Sequence, residues 1–191
     1  MNCGANCEHY YCCYKYSEHA KELGNAVPTA PFFFLKPVSS YVQSPGKIEI
    51  PRGCTVHHEV ELGVVIGKSG RDITESAAYE HISGYALALD LTARNLQDEA
   101  KKKGLPWSAA KGFDTFTPVG PFIPVAKMPD PHKARLWIEV AGQIKQNGTT
   151  DAMIFRYVQC MCTLTKQIRY DIGLSFLGTA RWIRSLIFVN A

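Results

Sequence analysis

Two glutamates stand two residues apart in His57-His58-Glu59-Val60-Glu61-Leu62-Gly63. On an extended strand, residues i and i+2 point to the same face. Glu59 and Glu61 therefore project together, while Val60 and Leu62 enter the opposite side. Like charges held that close repel each other unless a cation sits between them. An all-oxygen ligand set suits a hard divalent ion such as magnesium, manganese or calcium. The alternative for a bare Glu-x-Glu is an edge strand with one solvated acidic face, and the motif alone leaves both open.

Asp90 is the natural third ligand, since it interrupts the apolar run Gly84-Tyr85-Ala86-Leu87-Ala88-Leu89. A lone carboxylate in a buried strand is costly unless it is paired or metal-bound; otherwise Asp90 caps the helix that follows. Three carboxylates plus waters make a good magnesium shell. Such an ion can chelate a substrate with adjacent oxo and carboxylate groups and polarise its carbonyl. His19 and Glu22 are three apart and share a helical face. A histidine held by a carboxylate can act as a general base, although the pair also suits an exposed helix. Lys36 and Lys111 are cations among apolar or small residues, able to hold a substrate carboxylate or a developing enolate, or to snorkel to the surface. Gln97, on the helix after Asp90, either hydrogen-bonds a substrate oxygen or is solvated.

The elements that must position these groups follow from local pattern. Pro31–Pro37 is a short apolar strand closed by proline, and Pro45-Gly46 a turn. Val56–Ile66 is the acidic strand, and Gly84–Thr92 a buried strand. Ser17–Leu23 and Thr74–Ile82 have helical preference, with Ser17 and Thr74 as caps. Residues 93–103 form a polar helix whose Lys101-Lys102-Lys103-Gly104 end suits a helix C-terminus better than it suits nucleic acid. Leu136, Ile138 and Val140 alternate with Trp137 and Glu139 before Ala141-Gly142, which predicts a hairpin. Many short strands with a few short helices fit a mixed or antiparallel α+β domain.

The chain has 191 residues, enough for one substantial domain. A net charge of +4 is too small to argue for nucleic acid, and no run of about 18 apolar residues indicates a membrane span. No secretory or transit signal is visible at the start. Four of the seven cysteines crowd the first thirteen residues without clean Cys-x-x-Cys pairs, so they are taken as reduced thiols rather than a zinc site. Residues 1–13 have an irregular pattern. Residues 158–191 carry +3 of the net charge and show no clear helical or strand period before Ser185.

In order along the chain, these motifs resemble the fumarylacetoacetate hydrolase superfamily, in particular its small acylpyruvase and oxaloacetate decarboxylase branch, the domain-containing-protein-1 type. The matching pieces are Tyr16–Leu23, Phe34-Leu35-Lys36-Pro37, His57–Val65, Gly84–Arg94, Gln97-Asp98-Glu99 and Lys101–Trp107. Ala110-Lys111, Pro129–Lys133 and Met153-Ile154-Phe155 complete the series. The resemblance implies a β-rich sandwich-roll fold, usually a homodimer, with Mg²⁺ (or Mn²⁺) on Glu59, Glu61 and Asp90. It implies a His19–Glu22 base, Lys111 supporting the substrate oxyanion, and Gln97 positioning the substrate. The implied reactions are hydrolysis of acylpyruvates and decarboxylation or tautomerisation of oxaloacetate through a metal-chelated enolate, in mitochondria or cytosol. Two departures stand out. The family's Gly-Arg-Asn-Tyr is replaced by Cys13-Tyr14-Lys15-Tyr16, and its Thr-Gly-Thr-Pro-x-Gly loop does not follow Phe155. The expected organisation is a Cys-rich segment 1–15, an incomplete catalytic domain 16–157 and a divergent tail 158–191. The alternative expectation is an inactive or unstable truncated form that at most associates with a full-length subunit.

Overall fold

The computed structural model describes residues 29–167 throughout, and the backbone of residues 9–12, 14–15, 173–175 and 179–180. In chain order the strands are β1 (His9–Cys12), β2 (Tyr14–Lys15), β3 (Phe33–Lys36), β4 (Tyr41–Gln43), β5 (Val56–Ile66) and β6 (Ile82–Ala93). They continue with β7 (Thr117–Pro124), β8 (Arg135–Val140), β9 (Gln143–Thr149), β10 (Gly173–Ser175) and β11 (Thr179–Ala180). The α-helices are α1 (Arg94–Lys103), α2 (Ser108–Lys111) and α3 (Tyr157–Thr165). This is the expected α+β class, with a sheet-dominated core and few helices.

The central sheet has the order β10-β5-β6-β7-β4. The two long strands pair antiparallel, with Glu59 opposite Asp90 and Glu61 opposite Ala88. Period-2 alternation gives β5 two different faces. Val60, Leu62, Val64 and Ile66 enter the main apolar core with Tyr85 of β6 and with Tyr157, Cys160, Met161 and Leu164 of α3. Glu59 and Glu61 take the other face. Both faces are covered, so the solvated edge-strand alternative does not hold: Glu59 and Glu61 are buried.

Three local expectations are corrected. Thr74–Ile82 does not form an α-helix; it contains turns and a 3-10 turn at Ala78–His81. The sheet claims the end of this stretch, because Ile82 already pairs with Ile66 and the His81 carbonyl accepts the Gly67 N–H at 2.8 Å. The Thr74 hydroxyl meets the Ser76 hydroxyl instead of capping a helix. Residues 158–165, expected to lack a period, form α3 together with Tyr157. Its buried positions Tyr157, Val158, Cys160, Met161, Leu164 and Thr165 fall on one side of the helix, and its last residue holds the chain at Asp72 and Ile73. The start, expected to be irregular, supplies β1, antiparallel to β3 with His9 opposite Lys36. The helix expected over Ser17–Leu23 lies outside the described residues.

The hairpin β8–β9 forms as expected, with Ala141 and Gly142 both at positive φ in the turn. It supplies a contact that no local pattern announces. The Val60 N–H donates to Gln146 Oε1 at 2.9 Å, and Gln146 Nε2 donates to the Val60 carbonyl at 3.0 Å. The side-chain amide thus does for β5 what a neighbouring strand would do, at the residue between the two glutamates. Gln146 is 2% exposed, so water cannot replace it. Gln146→Leu is expected to orphan both Val60 groups at about 1–3 kcal/mol each. Urea unfolding should show a lowered midpoint with an unchanged slope; a midpoint equal to wild type would contradict this role.

Candidate active site

Strand pairing brings the three acids together. Glu59 and Asp90 face each other across β5 and β6, and Glu61 stands one alternation further along. One ligand oxygen from each of Glu59, Glu61 and Asp90 lies within 4.8 Å of the others, and the three residues are 2–3% exposed. Asp90 does not cap α1: the helix follows Ala93 with no side-chain cap.

Three cations from three elements compensate this charge. Lys36 Nζ donates to Asp90 Oδ1 at 2.7 Å, to the Phe116 carbonyl at 2.7 Å and to the Leu91 carbonyl at 3.3 Å. Lys111 Nζ donates to Asp90 Oδ2. Arg94 Nη2 donates to Glu59 Oε1 at 3.0 Å, Nη1 to Gln97 Oε1 at 2.5 Å, and Nε to His57 Nδ1 at 3.3 Å. Both lysines are buried, which removes the snorkelling alternative. Lys36, expected from sequence to hold substrate, makes its contacts here with Asp90 and with the Leu91 and Phe116 carbonyls. Its ammonium has three protons, and Asp90 with two carbonyls takes them. Lys36 holds Asp90 in place. Gln97 is buried and fixed by Arg94 instead of being solvated.

The compensation is uneven. Burial pushes Asp90 up, but the Lys111 and Lys36 ammoniums outweigh it, and its carboxyl titrates below the ordinary aspartate value. Burial lowers Lys36 below the usual lysine value despite the attraction of Asp90. Burial lifts Glu61 well above the carboxylate range. Repulsion from Asp90 and Glu59 adds to this, and Lys111 and Lys36 offset only part of it. Glu61 Oε2 is buried with no hydrogen-bond partner among the described residues. A buried carboxyl oxygen without a partner, inside an all-oxygen cluster, fits a hard divalent cation, whose charge would favour the ionised form.

Of the residues expected from sequence, the structure brings together Glu59, Glu61, Asp90, Lys36, Lys111 and Gln97. His19 and Glu22 lie outside the described residues. Arg94 was missed as a functional residue. It opens α1, where the helix dipole disfavours a cation, and no acid follows in the first turn. An arginine at that position calls for a specific partner, which Glu59 and Gln97 provide. His57 and Gln146 were also missed.

Residues 9–179 match the family model for Fumarylacetoacetate (FAA) hydrolase C-terminal, a span that begins ahead of residue 16 and runs past residue 157. The mitochondrial oxaloacetate decarboxylase of Dictyostelium discoideum is 54% identical over 157 residues, covering 78% of this chain and 72% of that protein. The mitochondrial oxaloacetate tautomerase FAHD1 of Arabidopsis thaliana is 52% identical over 156 residues, covering 78% of this chain and 70% of that one. A crystal structure of fumarylpyruvate hydrolase from Pseudomonas aeruginosa in complex with Mn²⁺ and pyruvate superposes with a TM-score of 0.81 at 33% identity. It covers 89% of this chain and 76% of that chain.

Glu61 gives the site a measurable pH signature. Its folded carboxyl binds a proton more tightly than the ordinary carboxyl at 4.5. Between 4.5 and the raised value the native state therefore holds more protons than the unfolded chain, and stability falls as pH rises. Asp90 acts oppositely in a lower window: its contribution is present above the ordinary aspartate pKa and is lost as pH falls through the depressed one. In chelator, the melting temperature should decline as pH rises through the Glu61 window. Glu61→Gln should flatten that decline; a profile that this substitution leaves unchanged would refute the assignment.

Proposed function

This chain belongs to the fumarylacetoacetate hydrolase family, and from that premise we propose that it is an enzyme acting on oxaloacetate and acylpyruvates with a divalent cation on Glu59, Glu61 and Asp90. The observation that carries this reading is the buried carboxylate triad with an unsatisfied Glu61 oxygen. Three similarities support it: to an oxaloacetate decarboxylase, to an oxaloacetate tautomerase, and to a fumarylpyruvate hydrolase whose structure holds Mn²⁺ and pyruvate. Mg²⁺ is the ion we assign first, with Mn²⁺ able to replace it.

A bound divalent cation would supply Lewis-acid polarisation of adjacent oxo and carboxylate oxygens. The chain's own residues do the rest. Lys111, buried beside Asp90, presents an ammonium to negative charge developing on the enolate oxygen. Gln97, fixed by Arg94, orients a substrate oxygen. Lys36 keeps Asp90 in place from behind. By the family resemblance, His19 with Glu22 is assigned as the base that takes a proton from water or from the substrate carbon.

In hydrolysis, water oxygen bonds to the acyl carbonyl carbon and the adjacent C–C bond breaks. Its electron pair stays on the pyruvate carbon as an enolate, which takes up a proton to give pyruvate and a carboxylic acid. In decarboxylation, the pair from the broken bond forms the same enolate as CO₂ leaves. Tautomerisation only moves a proton between carbon and oxygen. The relatives' names support a mitochondrial location, and we propose a homodimer as the working form.

Purified chain is expected to turn over oxaloacetate or acetylpyruvate with Mg²⁺ or Mn²⁺, and to lose this turnover in chelator and in Glu59→Ala. Lys111→Ala should lower kcat by about 10²–10³, the usual loss for an oxyanion donor. Isothermal titration should detect one divalent ion per chain, absent in Glu59→Ala. Full activity in Glu59→Ala would sink the metal assignment. A well-folded chain without turnover that binds a longer subunit would favour a purely associating form instead.

A further inference from the structure

The two elements that bring lysines to Asp90 also bring aromatic rings beside them. On β3, alternation puts Lys36 and Phe34 on one face, and Phe32 directly precedes the strand. Lys36 is 2% exposed against Asp90, Phe34 is half-buried, and Phe32 is 38% exposed. The face therefore climbs from the acid cluster to the surface. At α2, Trp107 precedes the helix and Lys111 ends it, four residues apart and on the same side. The two series meet. Lys111 Nζ lies 4.7 Å from the Phe34 ring centroid. The Phe34 and Trp107 rings are 5.6 Å apart at 53°, and Phe32 stands edge-on to Trp107 at 5.9 Å and 85°.

Phe34 is also backed by packing. It joins the small cluster of Ala88, Tyr41 and Val119, and Ala88 is the register partner of Glu61. The ring thus packs on the residue that pairs with Glu61 across the sheet, and the Lys111 ammonium lies over it. A 2-oxo acid gripped at the carboxylates and Lys111 must carry the remainder of its chain away from them. The wall that starts at Lys111 is aromatic. Planar unsaturated groups gain most against such rings through edge-to-face or offset contact.

We propose, resting on the reading of the site given above, that Phe34 and Trp107 form the acyl subsite and select 2,4-dioxo acids with a planar apolar substituent. Specificity then comes from β3 and α2, and chemistry from β5, β6 and Lys111.

The test uses the full chain with Mg²⁺ and compares benzoylpyruvate with acetylpyruvate. Wild type should favour benzoylpyruvate in kcat/KM. That ratio should fall about threefold to tenfold in Trp107→Leu and in Phe34→Leu, the scale of one aromatic pair. A merely structural role would lower both substrates together and leave the ratio in place, which would overturn the proposal. Binding gives a second readout that needs no turnover. The inert analogue 2-oxo-4-phenylbutanoate should quench tryptophan emission in wild type and lose this effect in Trp107→Phe. Quenching without turnover of any substrate would remove the proposed reaction and leave the subsite standing. Turnover with neither aromatic preference nor quenching would remove the subsite and leave the reaction standing.

Discussion

Three carboxylates buried within reach of one another set the terms for the structure around them. Each would cost several kcal/mol as an isolated buried ion, so compensation must come from the fold itself. It arrives from three separate elements: Lys36 from β3, Lys111 from α2 and Arg94 from α1. Each of these must be placed to within hydrogen-bond distance for the strands β5 and β6 to keep their acids inside. Lys36 ties three backbone and side-chain groups at once. It joins Asp90 to the Leu91 and Phe116 carbonyls, and the Leu91 N–H itself donates to Phe116 at 3.1 Å. One ammonium thus fastens β3 and the approach to β7 onto the middle of β6.

The distribution of these cations matters more than their number. Asp90 receives two ammoniums and Glu59 one guanidinium, whereas Glu61 is influenced by the lysines only at a distance. The field is therefore least compensated at Glu61. A divalent cation drawn to that point gains most from the acid that has least to lose by binding it. Lys111 sits at the boundary, since it donates to Asp90 and lies over the Phe34 ring. A cation–π contact can hold part of an ammonium's charge when a carboxylate is shared with another partner. That double contact leaves one ammonium shared between the acid cluster and the aromatic wall, which suits the role proposed for Lys111.

The acidic strand was legible in the sequence because period-2 alternation and β-branched residues coincide over Val56–Ile66. The buried strand carrying Asp90 was legible for the same reason. The pairing of Lys36 and Lys111 with Asp90 was not, because those contacts span 54 and 21 residues and leave no local trace. The chemistry of the individual side chains suggested their roles, and only tertiary structure separates a positioning lysine from one available to substrate. Thr74–Ile82 shows a local preference losing to sheet pairing. Residues 157–165 show the converse: the spacing of Tyr157, Met161 and Leu164 is helical, but over so short a span the period gains its meaning only from packing on the core of β5. Gln146 could not be found locally, because its meaning lies in the unpaired backbone of a strand 86 residues away. The catalytic base at His19 and Glu22 rests on family resemblance, since those residues lie outside the described part.

Alternation on β5 ties stability and chemistry to the same register. Moving the strand by one residue would turn Glu59 and Glu61 into the core held by Tyr157, Met161 and Leu164, and would turn Val60 and Leu62 toward Asp90. Neither face tolerates the exchange: one would gain unpaired charge, and the other would lose its ligands. The apolar core therefore does more than stabilise the sheet. By fixing which residues of β5 face inward, it fixes the spacing of the acids on the other side, and Gln146 holds the same register at Val60, on the side of β5 away from β6. A substitution deep in the core, far from any ligand atom, can for this reason change ion binding as directly as one in the triad.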